Sequence, residues 1–248
     1  MSLLTVERIK LTTTRSPWWC TGVAAFIAFG WALLFAALYR GGAPADAPKY
    51  SPSLVVSGAA NLGLYVIMIM AALSITTEYR FGIIRTTFQA APRRWQVLSA
   101  KAGFVSLVAL VLGEVFAFGA IGLAKVVNGS PLSLSSSDDW RAVAGVGVIY
   151  ALAAILAVGV GALLRQSAGA IAILLLFPLL VESLIGLIPK VGSNIQHWMP
   201  FLNASNFTGG GGGSTSGFMG PWYSLLYFAA VTAVIFGLAI FVVERRDA

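Results

Sequence analysis

Six apolar runs alternate with short polar stretches along the chain, at about 18–39, 54–75, 97–124, 143–164, 168–188 and 222–243. Each comes close to or exceeds the roughly twenty apolar residues that carry an α-helix across a bilayer. The pattern therefore predicts six membrane-spanning helices. The 97–124 run is longer than a bilayer needs, which predicts a tilted helix or one that projects into the cytoplasm. Trp18, Trp19 and Tyr39 bracket the first run as an aromatic belt would. A signal peptide has a shorter apolar core, about 7–15 residues, so the first run reads as an uncleaved span. Ahead of it, residues 2–15 place Leu3, Val6 and Ile9 three apart, with Glu7, Arg8, Lys10 and Arg15 as the charged residues. That spacing predicts a weakly amphipathic helix lying on the membrane surface.

The polar stretch from Glu78 to Lys101 carries five of the sixteen basic residues. Phe81, Ile84 and Phe88 fall on one face of a short helix, with Arg80, Arg85 and Gln89 largely off it. Pro92 breaks that helix, and Arg93 and Arg94 precede the next apolar run. Such a segment is either an interfacial helix held by lipid headgroups or a docking helix for a cytoplasmic partner. The stretch 189–221 is long and irregular, contains five successive glycines at 209–213, and reads as an external loop with a flexible connector. Six spans put both termini on one side. Eleven Lys and Arg residues then share that side and five lie opposite, so the positive-inside rule places both termini and the 78–101 stretch in the cytoplasm. The spans use every apolar run, which makes residues 1–248 a single all-α transmembrane domain.

Composition narrows the chemistry. The chain is 58% hydrophobic and 10% charged, with a mean hydropathy of +0.86. Soluble domains carry about 25% charged residues, so this is an integral membrane protein. The net charge of +7 sits at the ends of apolar runs, which is a membrane-orientation pattern and gives no reason to invoke nucleic acid. One cysteine, Cys20, excludes an intramolecular disulfide and a cysteine metal cluster. One histidine, His197, leaves little for a metal site or a catalytic triad, and no phosphate-binding G-x-x-x-x-G-K-[ST] loop occurs. The reading therefore assigns no catalytic residue, metal or cofactor to this chain. Two carboxylates, Glu114 and Glu182, lie inside spans, where an ionised group is costly and needs a partner, a cavity or a proton. Glu182 is expected to face a cavity, because Pro178, Ser183 and Gly186 make its helix irregular. Glu114 is expected to be a buried carboxylate bonded to a neighbouring helix. Ala24, Ala28, Ala32 and Ala36 form a small-residue stripe that suits close helix approach, within one subunit or across a dimer.

The six-span layout, the surface helix before the first span, and the run Glu78-Tyr-Arg-Phe-Gly-Ile-Ile-Arg-Thr-Thr with Ala91-Pro92-Arg93-Arg94 and Ala100-Lys101 resemble the ABC-2-type permeases of ATP-binding-cassette exporters. The resemblance covers the whole chain in layout and about two dozen residues in sequence. It implies two permease subunits paired with two separate ATPase subunits in a bacterial-type cytoplasmic membrane, with ATP and Mg²⁺ on the partner. It implies that Glu78, Arg80, Phe81, Ile84, Arg85, Phe88, Arg93 and Arg94 couple to the ATPase. It also implies a path along an interface between identical permeases, involving Ala28, Ala32, Phe177 and Glu182. The expected activity is export of a lipophilic or amphipathic substrate such as a drug, lipid or peptide. The alternatives are a proton-coupled secondary transporter using Glu114 and Glu182, or an intramembrane enzyme using the same carboxylates.

Overall fold

The computed structural model describes residues 7, 9–10, 13–40, 42, 48–84, 93–128, 132–188, 192–209 and 220–245. Inside hydrocarbon a chain must satisfy its own backbone hydrogen bonds, and a helix does so within one segment. Accordingly every apolar run is helical, and no strand occurs among the described residues. The helices are α1 (Arg15–Arg40), α2 (Pro52–Arg80), α3 (Arg94–Asn128), α4 (Ser137–Leu164), α5 (Ser167–Ile185), α6 (Gly192–Gln196), α7 (Pro200–Phe207) and α8 (Pro221–Arg245). Six of them, α1 to α5 and α8, are long and apolar enough to cross a membrane. Most extend past the apolar runs, because polar residues at their ends continue the helical hydrogen bonding. Of the expected surface helix, Glu7, Ile9, Lys10 and Thr13 are described and are helical; Leu3 and Val6 lie outside the described residues.

Local signals set the ends. Ser136 and Asp139 form a reciprocal capping box at the start of α4, each side chain accepting from the other's backbone N–H at 3.1 Å. Arg165 closes α4 in the left-handed region, at φ 55°, with its N–H on the Gly161 carbonyl. Two π-helical turns interrupt the spans, at Ala59–Gly63 in α2 and at Phe177–Val181 in α5. The second contains Pro178, which has no N–H to give the regular ladder. At the first, the fully buried Tyr150 of α4 donates its hydroxyl to the Ala59 carbonyl at 2.7 Å.

The fourth span is central. It packs against α2, α3 and α8, while α1 lies on α2 and α3, and α5 on α2 and α4. Ala24, Ala28, Ala32 and Ala36 are all fully buried within the chain. Ala28 and Ala32 therefore serve intrachain packing here. Methyl side chains let α1 settle onto its neighbours, and Gly58 of α2 has room only for a hydrogen beside the Trp31 side chain. The outward face of α1, with Phe26, Leu34 and Leu38, is exposed and apolar, as is the face of α5 with Ile173, Leu180 and Leu184.

One end of the bundle gathers the described amino-terminal residues, the α2–α3 corner, the α4–α5 turn and the end of α8. There Arg94 Nη1 donates to the Val243 carbonyl at 3.4 Å, the Arg165 guanidinium sits 5.2 Å from the Tyr79 ring, and Ser167 Oγ donates to Thr76 Oγ1 at 2.9 Å. At the opposite end Tyr39 stacks on Tyr50, and Asn206 Nδ2 donates to Ser224 Oγ at 2.9 Å.

Candidate functional site

The α2 helix runs past its apolar stretch through Thr76, Thr77, Glu78, Tyr79 and Arg80. It stops because Gly82 adopts φ +71°, a region that costs a residue with a Cβ but not glycine. Phe81 caps the helix with its N–H on the Thr77 carbonyl at 2.9 Å. This break corrects the single-face reading of Phe81 and Ile84. Phe81 is 69% exposed and Ile84 only 3%, so the two point apart. Arg85 and Phe88 lie outside the described residues. Arg80 is exposed with its guanidinium 5.7 Å from the Phe81 ring; Arg93 is exposed and Arg94 is half-buried at the α8 end.

Behind Phe81 lies an ionic cluster. Lys101, two turns into α3, is 1% exposed. Its ammonium donates to Glu7 Oε2 at 2.6 Å and to Glu78 Oε1 at 2.9 Å. Lys10 donates to the same Glu78 oxygen at 2.8 Å and lies 3.6 Å from Glu7 Oε1. Two acids and two bases thus neutralise one another and fasten the amino-terminal segment, α2 and α3 together. Burying such charges is expensive, and the geometry must offset the desolvation. Burial alone would lower the Lys10 pKa, but the hydrogen bond and charge of Glu78, helped by Glu7, leave it raised. Its contribution is therefore full below the ordinary lysine range and is lost only in strongly alkaline solution.

Sequence reasoning did not assemble this cluster. Glu78, which the resemblance places at the coupling surface, is 5% exposed and holds the corner from inside. Glu7, which the spacing places on a surface helix, is buried as well. A signal existed for one pair: Glu78 and Lys101 carry opposite charges at adjoining ends of consecutive spans. No comparable signal links Glu7 to Lys101, 94 residues away.

The intramembrane carboxylates are placed separately. Glu182 is buried, and its two oxygens accept the Phe201 and Leu202 backbone N–H groups at 3.0 and 2.9 Å. Pro200 occupies the first turn of α7, so these are unsatisfied donors of a helix start, and a carboxylate suits that position. Glu182 thereby clasps α5 to α7. Phe177 supports the same junction, packing on Phe201, which packs edge-on against Phe228 of α8. Glu114 is partly exposed and lies over Gly147, where a Cβ would overlap its carboxylate. Among the described residues no group of His, Cys, Asp and Glu could hold a metal ion.

The Glu182 clasp yields an expected result. Glu182→Gln turns one acceptor into an NH₂ group facing a backbone donor. The loss should be about 1.5–3 kcal/mol, the range for hydrogen bonds to charged groups. Thermal unfolding in detergent should show the lowered stability, and limited proteolysis should show faster cleavage around 192–209. Unchanged stability and protection would mean that α7 does not depend on Glu182.

These helices define the class: a multi-pass, all-helical membrane protein with an ion-paired corner at one end. No protein-family model matches the chain, and no curated protein matches it.

Proposed function

We propose that the chain is the permease subunit of an ATP-driven ABC-2-type exporter. Two copies pair in a bacterial-type cytoplasmic membrane, and two cytoplasmic ATPase subunits bind ATP and Mg²⁺. The chain itself is not an enzyme; its work is conformational. The observation that most supports this reading is the corner around Lys101. Two spans and the amino-terminal segment are joined there by buried ion pairs, so force applied at the corner reaches the bundle as a unit. Outside the cluster, exposed Phe81 beside Arg80 offers an aromatic anchor with a basic rim. The side with eleven basic residues is taken as cytoplasmic. The apolar outer faces of α1 and α5 suit the second permease copy and a lipophilic or amphipathic cargo. A proton-driven transporter is less well supported, because both Glu182 oxygens are engaged by backbone donors.

Affinity purification of the tagged chain from its native membrane tests the reading. The expected result is co-purification of an ATPase with a G-x-x-x-x-G-K-[ST] loop. Substrate should stimulate ATP hydrolysis only when this chain is present. A purified chain that transports in proteoliposomes with a proton gradient and no ATPase would overturn it.

A further inference from the structure

Beside the ionic corner, between the amino-terminal segment and α2, lies a cavity of about 360 Å³. That is within the range of small-molecule sites, about 300–1,000 Å³. Its wall changes character along α2. Along the helix the lining runs from Met70 and Leu73 through Ser74 and Thr77 to Glu78 and Phe81 at the end of α2. At 1.5 Å per residue, the α2 part of the wall from Met70 to Glu78 is about 12 Å long. Lys10 and Arg15 stand at the same end as Glu78.

The hydrogen-bonding state of this wall is asymmetric. Ser74 and Thr77 spend their hydroxyl hydrogens on the Ala71 and Leu73 carbonyls, and Thr14 on the Lys10 carbonyl. Their remaining capacity is to accept. Glu78 Oε2 is buried and has no hydrogen-bond partner among the described residues. An unpaired buried carboxylate oxygen is costly, and an N–H donor would relieve it. Arg15, by contrast, is an exposed cation with no acid within salt-bridge distance among the described residues. Acceptors inside, an exposed cation at the rim and an apolar wall define the complementary ligand.

We propose that this cavity binds a zwitterionic amphiphile bearing an N–H-containing ammonium and a phosphate, with its chain directed toward Met70. The ammonium meets Thr77 and Glu78, the phosphate meets Arg15 and Lys10, and one hydrocarbon chain covers Leu73. A lipid of the adjacent leaflet and a passing amphiphile share this chemistry. The site does not require an ATPase partner, so its failure would leave the exporter reading standing.

Native mass spectrometry of the full chain, released from nanodiscs of equal phosphatidylethanolamine, phosphatidylcholine and phosphatidylglycerol, tests it. Phosphatidylcholine keeps the phosphate but has no N–H on its ammonium. One phosphatidylethanolamine should be retained, preferred over phosphatidylcholine by about tenfold, the size of a hydrogen bond to a charged group. Leu73→Trp fills the space along the apolar wall without touching the ion pairs and should abolish retention while thermal stability holds. Arg15→Gln should lower retention of both phosphatidylethanolamine and phosphatidylcholine and leave the preference between them intact. Replacement of the retained lipid by added lysophosphatidylethanolamine within minutes identifies a passing amphiphile; slow replacement identifies a resident lipid. Equal retention of phosphatidylcholine, or unchanged retention in a folded Leu73→Trp chain, would overturn the proposal.

Discussion

Lys101→Met should destabilise the protein by about 3–5 kcal/mol, the cost of removing one partner from a buried ion pair. Among the described residues, Lys101 is the only cation in contact with both Glu7 and Glu78 at hydrogen-bond distance. Without it, two buried carboxylates share Lys10 as their one remaining cation among the described residues. The amino-terminal segment should detach first, because Glu7 then keeps only the 3.6 Å contact to Lys10. Denaturation in detergent measures the loss, and hydrogen exchange around Glu7 locates it. Adding Glu78→Gln to Lys101→Met should recover part of the stability, because one uncompensated charge disappears. A single mutant as stable as the parent would show that the cluster does not hold the corner.

If the chain is the permease proposed above, Phe81→Ala combined with Phe88→Ala should abolish transport and substrate-stimulated ATP hydrolysis while leaving membrane insertion and permease pairing intact. Phe81 is a large aromatic, well exposed just beyond the Gly82 break, and makes little of the intrachain core. Removing it should therefore cost the fold little. At a partner surface such anchors often carry more than about 2 kcal/mol each, roughly thirtyfold in affinity. Phe88 enters on the sequence pattern, since its surroundings are not described. Arg80→Ala should do less, because rim charges tune encounter more than affinity. The measurements are co-purification of the ATPase, its stimulated activity, and transport in proteoliposomes. Full activity of the double variant would return the 78–94 segment to the role of an interfacial helix.

Ile84 shows how local pattern and tertiary structure diverge in this chain. Its spacing from Phe81 and Phe88 reads as one helical face, and would be one in an uninterrupted helix. A single glycine at positive φ rotates the chain between Phe81 and Ile84, and Ile84 turns into the core. The alanine stripe behaved differently. Its four-residue spacing already required a close helix neighbour, but not which one; the fold supplied α2 and α3. Glu182 was legible as a buried acid in an irregular helix. Its partners were not, because they are backbone donors at the start of α7, and sequence spacing does not say which helix start a buried acid meets.

The sequence by itself determined six helices of bilayer length, their alternating direction and the charge asymmetry between their ends. Those properties follow from hydrocarbon thickness and from backbone hydrogen bonds that close within each segment. Only the tertiary structure decided which charges meet. Glu7, Lys10, Glu78 and Lys101 come from three segments, and opposite charges find one another through space at distances that sequence separation does not encode. The same holds for the Glu182 clasp. A polar group buried in a membrane protein must be satisfied, but its partner is chosen by the packing of helices.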